Sequence, residues 1–336
     1  MSIISPTSFR TRKVLSYLLS LLAIAVLFQI SLTTGIVHVH ETIWSLIGKN
    51  TVDANTVWQL RFPRVLGALI IGAGLGVAGA IAQGIFRNPL AEPTLIGLSS
   101  GATLGTITVI ATGVGTFGTR TIVAGAVVGA ALAALLVQWL APAKGFGFLL
   151  TGIAISSILT SVAGLLISMS AKPGIQSLSF WDFGSLSLLS NQSVGMIAPY
   201  IEAGIIAAFF VARKLDIYSL GDHSARYMGV EPRRLRLWAV LALALLVGAS
   251  VSAVGSIAFL GLLVPHIVRL LIGPGHRRML SLSALVGALV LMLADLLART
   301  LYEPNEIPLG LITSLLGAPV LIILLKVKRA SWVSND

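Results

Sequence analysis

Continuous apolar stretches recur along the whole chain, at 14–34, 64–85, 94–112, 120–141, 147–170, 194–212, 237–255, 256–272, 280–300 and 309–326. Each is close to the ~20 residues that a helix needs to cross the hydrocarbon core of a bilayer. None shows the short apolar/polar alternation of a membrane β-strand. In lipid every backbone amide must find its partner inside the element, so runs of this kind fold as helices. Composition agrees. Only 10% of the 336 residues are charged and mean hydropathy is +0.95, against about 25% charged residues in soluble domains. The expectation is an all-α integral membrane protein of about ten transmembrane helices, forming one domain over residues 1–336. The least distinct boundary lies within "VGASVSAVGSIAFLGLL". It has no polar loop, so a tight turn near Gly255–Ser256 is inferred from length alone.

The formal net charge of +11 does not point to nucleic acid, because the cations sit in short loops between apolar runs. They follow the positive-inside rule instead. With the N-terminus in the cytoplasm, only Lys49, Arg61, Arg64, Arg120, Lys172 and Arg299 of the 23 Lys and Arg face outward. Ten spans then leave both termini inside, with short tails at 1–13 and 327–336. Five spans per half is an odd number, so any repeat between the halves is inverted, as in many transporters. The first apolar run follows Arg10, Arg12 and Lys13 but carries no small-x-small cleavage site, so it reads as an uncleaved span. The chain has no cysteine, which excludes disulfides and thiolate chemistry.

Small residues recur every four positions: Gly72, Gly76, Ala80 and Gly84; Gly97, Gly101 and Gly105; Gly125, Gly129 and Ala133. This spacing lets helix backbones approach closely in lipid. The longest polar loop, 212–237, is strongly basic. Within it Asp222 is placed to cap a short helix "HSARYMG" that stops at Gly229, and Pro232 opens the next element. Between the second and third runs lies "RNPLAEP", where Pro89 and Pro93 end helices and Asn88 can bond exposed backbone. No GxxxxGK[ST] phosphate loop occurs, so any ATP chemistry belongs to another chain. His266 has no second His or Cys within sequence reach, and no metal site is expected. Glu202 and Asp295 lie inside spans, where acids mark function or pairing; Asp295 can pair with Arg299 one turn on.

Several stretches together resemble a known family: "LRFPRVLGALIIGAGLGVAGAIAQGIFRNPLAEPTLIGLSSGA", "FWDFGSL", "LGDHSARYMGVEPRRLR", "GSIAFLGLLVPHIVRLLIGPGHRRMLSLSALVGALVLMLADLLARTL" and "IPLGLITSLLGAPVLIILL". Over residues 58–326 the chain is similar to the permease subunit of iron-chelate and cobalamin importers, the type II ABC importers with ten helices per subunit. The resemblance implies a homodimeric permease in the bacterial inner membrane that catalyses no reaction and holds no cofactor. It also implies two ATPase subunits that bind ATP and Mg, and an extracytoplasmic substrate-binding protein. By the same resemblance, Gly221, Ala225, Arg226, Gly229 and Val230 form the coupling helix against the ATPase. Asn88 and Leu90 close the inner end of the pathway, with Gly145 and Phe146 at a second constriction. Arg61, Arg64 and Arg299 meet carboxylates of the binding protein. "IQSLSFWDFGSLS" looks slightly more like haem permeases, so the expected cargo is haem or a ferric siderophore, with cobalamin the alternative. Phe180 and Trp181 could touch a flat cargo or anchor at the interface. Two rivals of other classes stand beside this reading: a proton-coupled secondary transporter working through Glu202 or Asp295, and a membrane scaffold that transports nothing.

Overall fold

The computed structural model describes residues 6–35, 47–49, 51–116, 118–141, 147–169, 182–273 and 275–333. All of their regular secondary structure is helical. In chain order the helices are α1 Pro6–Thr33, α2 Val52–Ile85, α3 Leu98–Thr112, α4 Arg120–Leu140, α5 Gly147–Met169, α6 Asn191–Tyr218, the short α7 Asp222–Tyr227, α8 Pro232–Val254, α9 Leu260–Ile272, α10 His276–Thr300 and α11 Leu309–Val333. Each of the ten apolar runs has its helix. Seven are long and apolar enough to span a bilayer, while α3, α9 and the apolar part of α11 are shorter. The turn expected near Gly255–Ser256 is present: α8 ends at Val254, and Gly255 takes a φ of 77° that ends the helix. Within α2, residues Thr56–Arg61 form a π-helical stretch ahead of Pro63.

Helix α2 is the centre of the bundle. It packs on α6, α8, α9 and α10, and nearly its whole second half is buried. The small-residue stripes explain the closeness. A side-chain carbon added at Gly72 would collide with the Gly287 carbonyl of α10, and one at Gly76 with the Ser283 carbonyl. Gly101 and Gly105 of α3 lie in the same way against Gly129 and Gly125 of α4. Pairings recur between the halves: α2 packs on α10 as α8 packs on α4, and α2 on α9 as α8 on α3.

Successive helices alternate in direction, so the loops collect at two ends. One end carries Arg87, the 219–231 segment, Gly273 and Gly275–Arg278. The other carries Ser31–Gly35, Val52–Arg64 and Arg299–Glu306. Segment 182–189 straps the breaks between helices near that second end. Ser256 N–H donates to the Asp182 carbonyl, Ser185 N–H to Val254, and Leu309 and Gly310 N–H to Gly184 and Phe183. This is the described DFGSL part of the motif at work: Gly184 has φ 84° and sits against Ser256 and Gly310.

Candidate functional site

At the first end, a loop and a short helix are tied together. Helix α2 finishes at Phe86, and Arg87 follows with a left-handed φ of 48°, an unfavourable conformation for a residue with a side chain. Partners hold it there. Its guanidinium forms an ion pair with Asp222, the first residue of α7, and lies 4.2 Å over the Tyr218 ring at the end of α6. Arg236 of α8 approaches the same carboxylate at 4.0 Å. Asn88 Oδ1 accepts from the Leu90 N–H (3.0 Å), and Asn88 N–H returns to Gln83, closing a rigid turn. Phe86 stacks on Phe148 at the start of α5, centroids 4.4 Å apart. Gly145 and Phe146, expected at this constriction, lie outside the described residues, as do Phe180 and Trp181.

Helix α7 ends as the sequence predicts. Val230 N–H bonds the Ala225 carbonyl (2.8 Å) and Gly229 N–H bonds Arg226 (3.0 Å), with Gly229 at φ 79°. This is the doubly bonded glycine cap, and its usual apolar contact pairs Val230 with Ala225, both buried. Two corrections follow. Asp222 does not cap the helix: Gly221 holds that position without a side-chain bond, and the Asp222 carboxylate goes to Arg87. Ala225 and Val230 cannot be contact residues on the outer surface, because they face the chain's own core and seat α7 on the bundle. What α7 and its flanks present outward is Arg226, Gly229, Tyr227 (92% exposed), Met228 (56%) and Leu220 (61%), with Gly221 half-buried. The last three apolar residues escaped the sequence reading. Their signal was large apolar side chains beside a glycine in an otherwise polar loop.

Behind the loop the chain turns back into the bundle. Pro93 packs on Gly261 of α9, which in turn presses on Gly79 of α2. Glu92 is carried inside with it, 2% exposed. Burial pushes its carboxyl up to about 7, opposed by hydrogen bonds from the Phe259 main chain and the Thr94 hydroxyl, and among the described residues its Oε1 has no partner. Arg269 donates to Gln83 of α2 (2.8 Å), and Asp216 bonds both the N–H and Nδ1 of His276 at the start of α10. His266 is half-buried.

At the second end the three outward arginines come together, but buried. Arg61 donates to the Leu32 and Thr33 carbonyls (2.9 and 2.8 Å), and Arg299 to Thr34 and Ser31 (2.9 and 2.7 Å), so both finish the open end of α1. Arg64 pairs with Asp295 (2.8 Å) and Glu306 (2.6 Å). Asp295 does reach Arg299, at 3.6 Å, yet its nearer partner is Arg64, 231 residues away in sequence. Relative exposures of 6%, 9% and 6% for Arg61, Arg64 and Arg299 leave no open fork for a second protein in this arrangement.

Residues 21–327 match the FecCD transport family. The chain belongs to that family. It is similar to the hemin transport system permease HmuU of Yersinia pestis, 38% identical over 86% of this chain and 88% of the relative. It is similar also to the iron(3+)-hydroxamate import system permease FhuG of Bacillus subtilis, 35% identical over 90% and 94%. Among solved structures it resembles an inward-facing metal-chelate type ABC transporter, with a TM-score of 0.79 and 28% identity over 91% of this chain and 97% of that one. This FecCD chain is therefore the multi-span permease of an ABC importer, a family defined by work with an ATPase and a binding protein.

Proposed function

We propose that this FecCD permease carries an iron chelate, haem or a ferric siderophore, from an extracytoplasmic binding protein into the cytoplasm. It acts as a homodimer on two separate ATPase subunits that bind the ATP and Mg. The cargo reading is supported by the hemin and hydroxamate permeases it resembles. The membrane is the bacterial inner membrane with both termini cytoplasmic. Supporting this, Arg87, Arg213, Arg226, Arg233, Arg234, Arg236, Arg269, Arg277 and Arg278 gather at the end that carries α7.

The observation that carries the mechanism is the Arg87–Asp222 ion pair. It joins the loop after α2 to the one short helix that projects from the described bundle. An ATPase that moves α7 through Gly221, Arg226 and Gly229 would pull on Arg87, and through it on Asn88, Leu90 and Phe86. These residues, with Gly145 and Phe146, form the proposed inner gate; the Phe86–Phe148 stack supports a closure between α2 and α5. ATP biases the gate only through its different affinity for the two states. On the outer face, Arg61, Arg64 and Arg299 support docking by building the surface beneath the binding protein.

The test is the ATPase rate of the co-encoded ATPase with the purified permease in lipid, with and without the co-encoded binding protein. Stimulation in the wild type that Gly229→Trp abolishes supports the reading. An ATPase that neither co-purifies nor responds overturns it. Uptake of haem against a ferric siderophore then sorts the cargo.

A further inference from the structure

A second feature of the arginine-rich end takes no part in the coupling geometry. Between α6 and α10 lie two adjoining hollows of about 480 and 580 Å³. Their shared walls are Phe209, Arg213 and Arg277. The first adds Ile206 and Phe210, the second Asp216, Arg278 and Ser281. Helix α1 closes one side, where the Tyr17 hydroxyl bonds the Arg278 carbonyl and Ser281.

Three properties define what would fit. The first is charge. Arg213, Arg277 and Arg278 converge on the groove, and among the described residues none of them has an ion pair; the one carboxylate present, Asp216, is occupied by His276. Three guanidiniums present forks suited to phosphate oxygens. The second is the apolar wall. Phe210 is 77% exposed, Ile206 49% and Phe209 39%, and on α6 they stand one to two turns toward the bundle centre from Arg213. The third is depth: cations at a helix end with an apolar wall above them match the boundary between headgroups and acyl chains. Glu202, a turn past Ile206 on the same exposed face, limits how far the wall runs. Arg233 and Arg234 show the contrast. They are also exposed at the same end but line neither of these two hollows, as the positive-inside rule alone would leave them.

We propose that this groove is a binding site for one anionic phospholipid, its phosphate on Arg213, Arg277 and Arg278 and its upper acyl chain on Phe209, Phe210 and Ile206. Naming the leaflet as cytoplasmic rests on the orientation proposed above; the binding does not. Placed between α6, which leads into α7, and α10, which packs on α2, the lipid would brace the helices that carry the coupling loop.

The experiment is native mass spectrometry of the full-length permease in detergent, titrated with phosphatidylglycerol or with phosphatidylcholine of the same chains. One phosphatidylglycerol should bind at least tenfold more tightly than phosphatidylcholine. Each single substitution, R213Q, R277Q or R278Q, should weaken it about fivefold, and the triple should bring the two lipids level. R233Q/R234Q removes two charges elsewhere and should change nothing. F209A/F210A should weaken both lipids and keep the preference, and millimolar inorganic phosphate should not displace the lipid. Equal binding of the two lipids, equal loss in the R233Q/R234Q control, or displacement by phosphate would each overturn the proposal; the last would make it a free-anion site. Should the triple variant not purify as a monodisperse protein, the three single variants decide. A failed ATPase experiment leaves this result untouched.

Discussion

Asp295 lies buried between Arg64 and Arg299, and its geometry makes a prediction for that single residue. Removing its charge leaves two guanidiniums in the bundle, and among the described residues Glu306 pairs directly with Arg64 alone. Breaking a buried pair in this way costs about 3–5 kcal/mol. Asp295→Asn should therefore lower the melting temperature in detergent sharply, whatever it does to transport; an unchanged melting temperature would contradict the cluster. Glu92 gives the opposite sign. Its carboxyl is raised from 4.5 to about 7 by burial, so the native state holds its proton more tightly than the unfolded chain does. The protonated form is the stable one. Its contribution is complete below pH ~4.5 and is lost as pH rises through about 7, a change on the order of 3 kcal/mol. Melting curves of the wild type should fall across that window, while Glu92→Gln should flatten this component and be the more stable protein at pH 8.

At the scale of elements, glycine placement decides how closely helices sit. Gly76 of α2 lies against Ser283 and Gly287 of α10 with no room for a side chain. Gly76→Val should push the two helices apart at a cost of about 1–3 kcal/mol, read as lower thermal stability with the helical circular dichroism retained. Gly229 differs: open space surrounds it, and what it supplies is the left-handed turn that ends α7. Gly229→Ala should cost about 1–2 kcal/mol through backbone conformation alone. It should reduce ATPase stimulation less than Gly229→Trp, which adds bulk where α7 meets its partner. Equal losses would place the effect in the turn and not in the contact.

For the whole molecule, the question is whether motion at α7 reaches the loop after α2. If the Arg87–Asp222 pair transmits it, Arg87→Gly removes the tether while easing the strained φ. ATPase stimulation by the binding protein should then drop severalfold with folding intact. Asp222→Asn should do the same. The exchange Arg87→Asp with Asp222→Arg should restore part of it, since aspartate tolerates the left-handed region. Failure of the exchange, with both singles impaired, would assign the effect to the loop's shape. A proton-driven carrier would behave otherwise, moving cargo without ATPase. Of the two acids named for such a scheme, Asp295 is spent on arginines, which leaves Glu202, exposed on α6, and Glu202→Gln is expected to leave ATP-driven uptake unchanged.

Ten helices, their near boundaries, the close-packing stripes, the break at Gly255 and the glycine cap at Gly229 were all legible in the sequence. Each depends on local physics: apolar length against bilayer thickness, four-residue spacing, and φ values that only glycine adopts readily. The resemblance in five motifs also pointed to the FecCD family. Tertiary structure alone decided who meets whom. Arg87 and Asp222 lie 135 positions apart, and Arg64 and Asp295 lie 231 apart. No periodicity along the chain encodes such a pair, which exists only because α2 packs centrally and brings both its ends to other helices. The same limit explains why burial at two places was not legible. Outward position in sequence made Arg61, Arg64 and Arg299 look available, and a polar loop made Ala225 and Val230 look exposed. Burial belongs to the packed bundle, where a charge or a methyl group takes its role from the neighbours that helix packing brings to it.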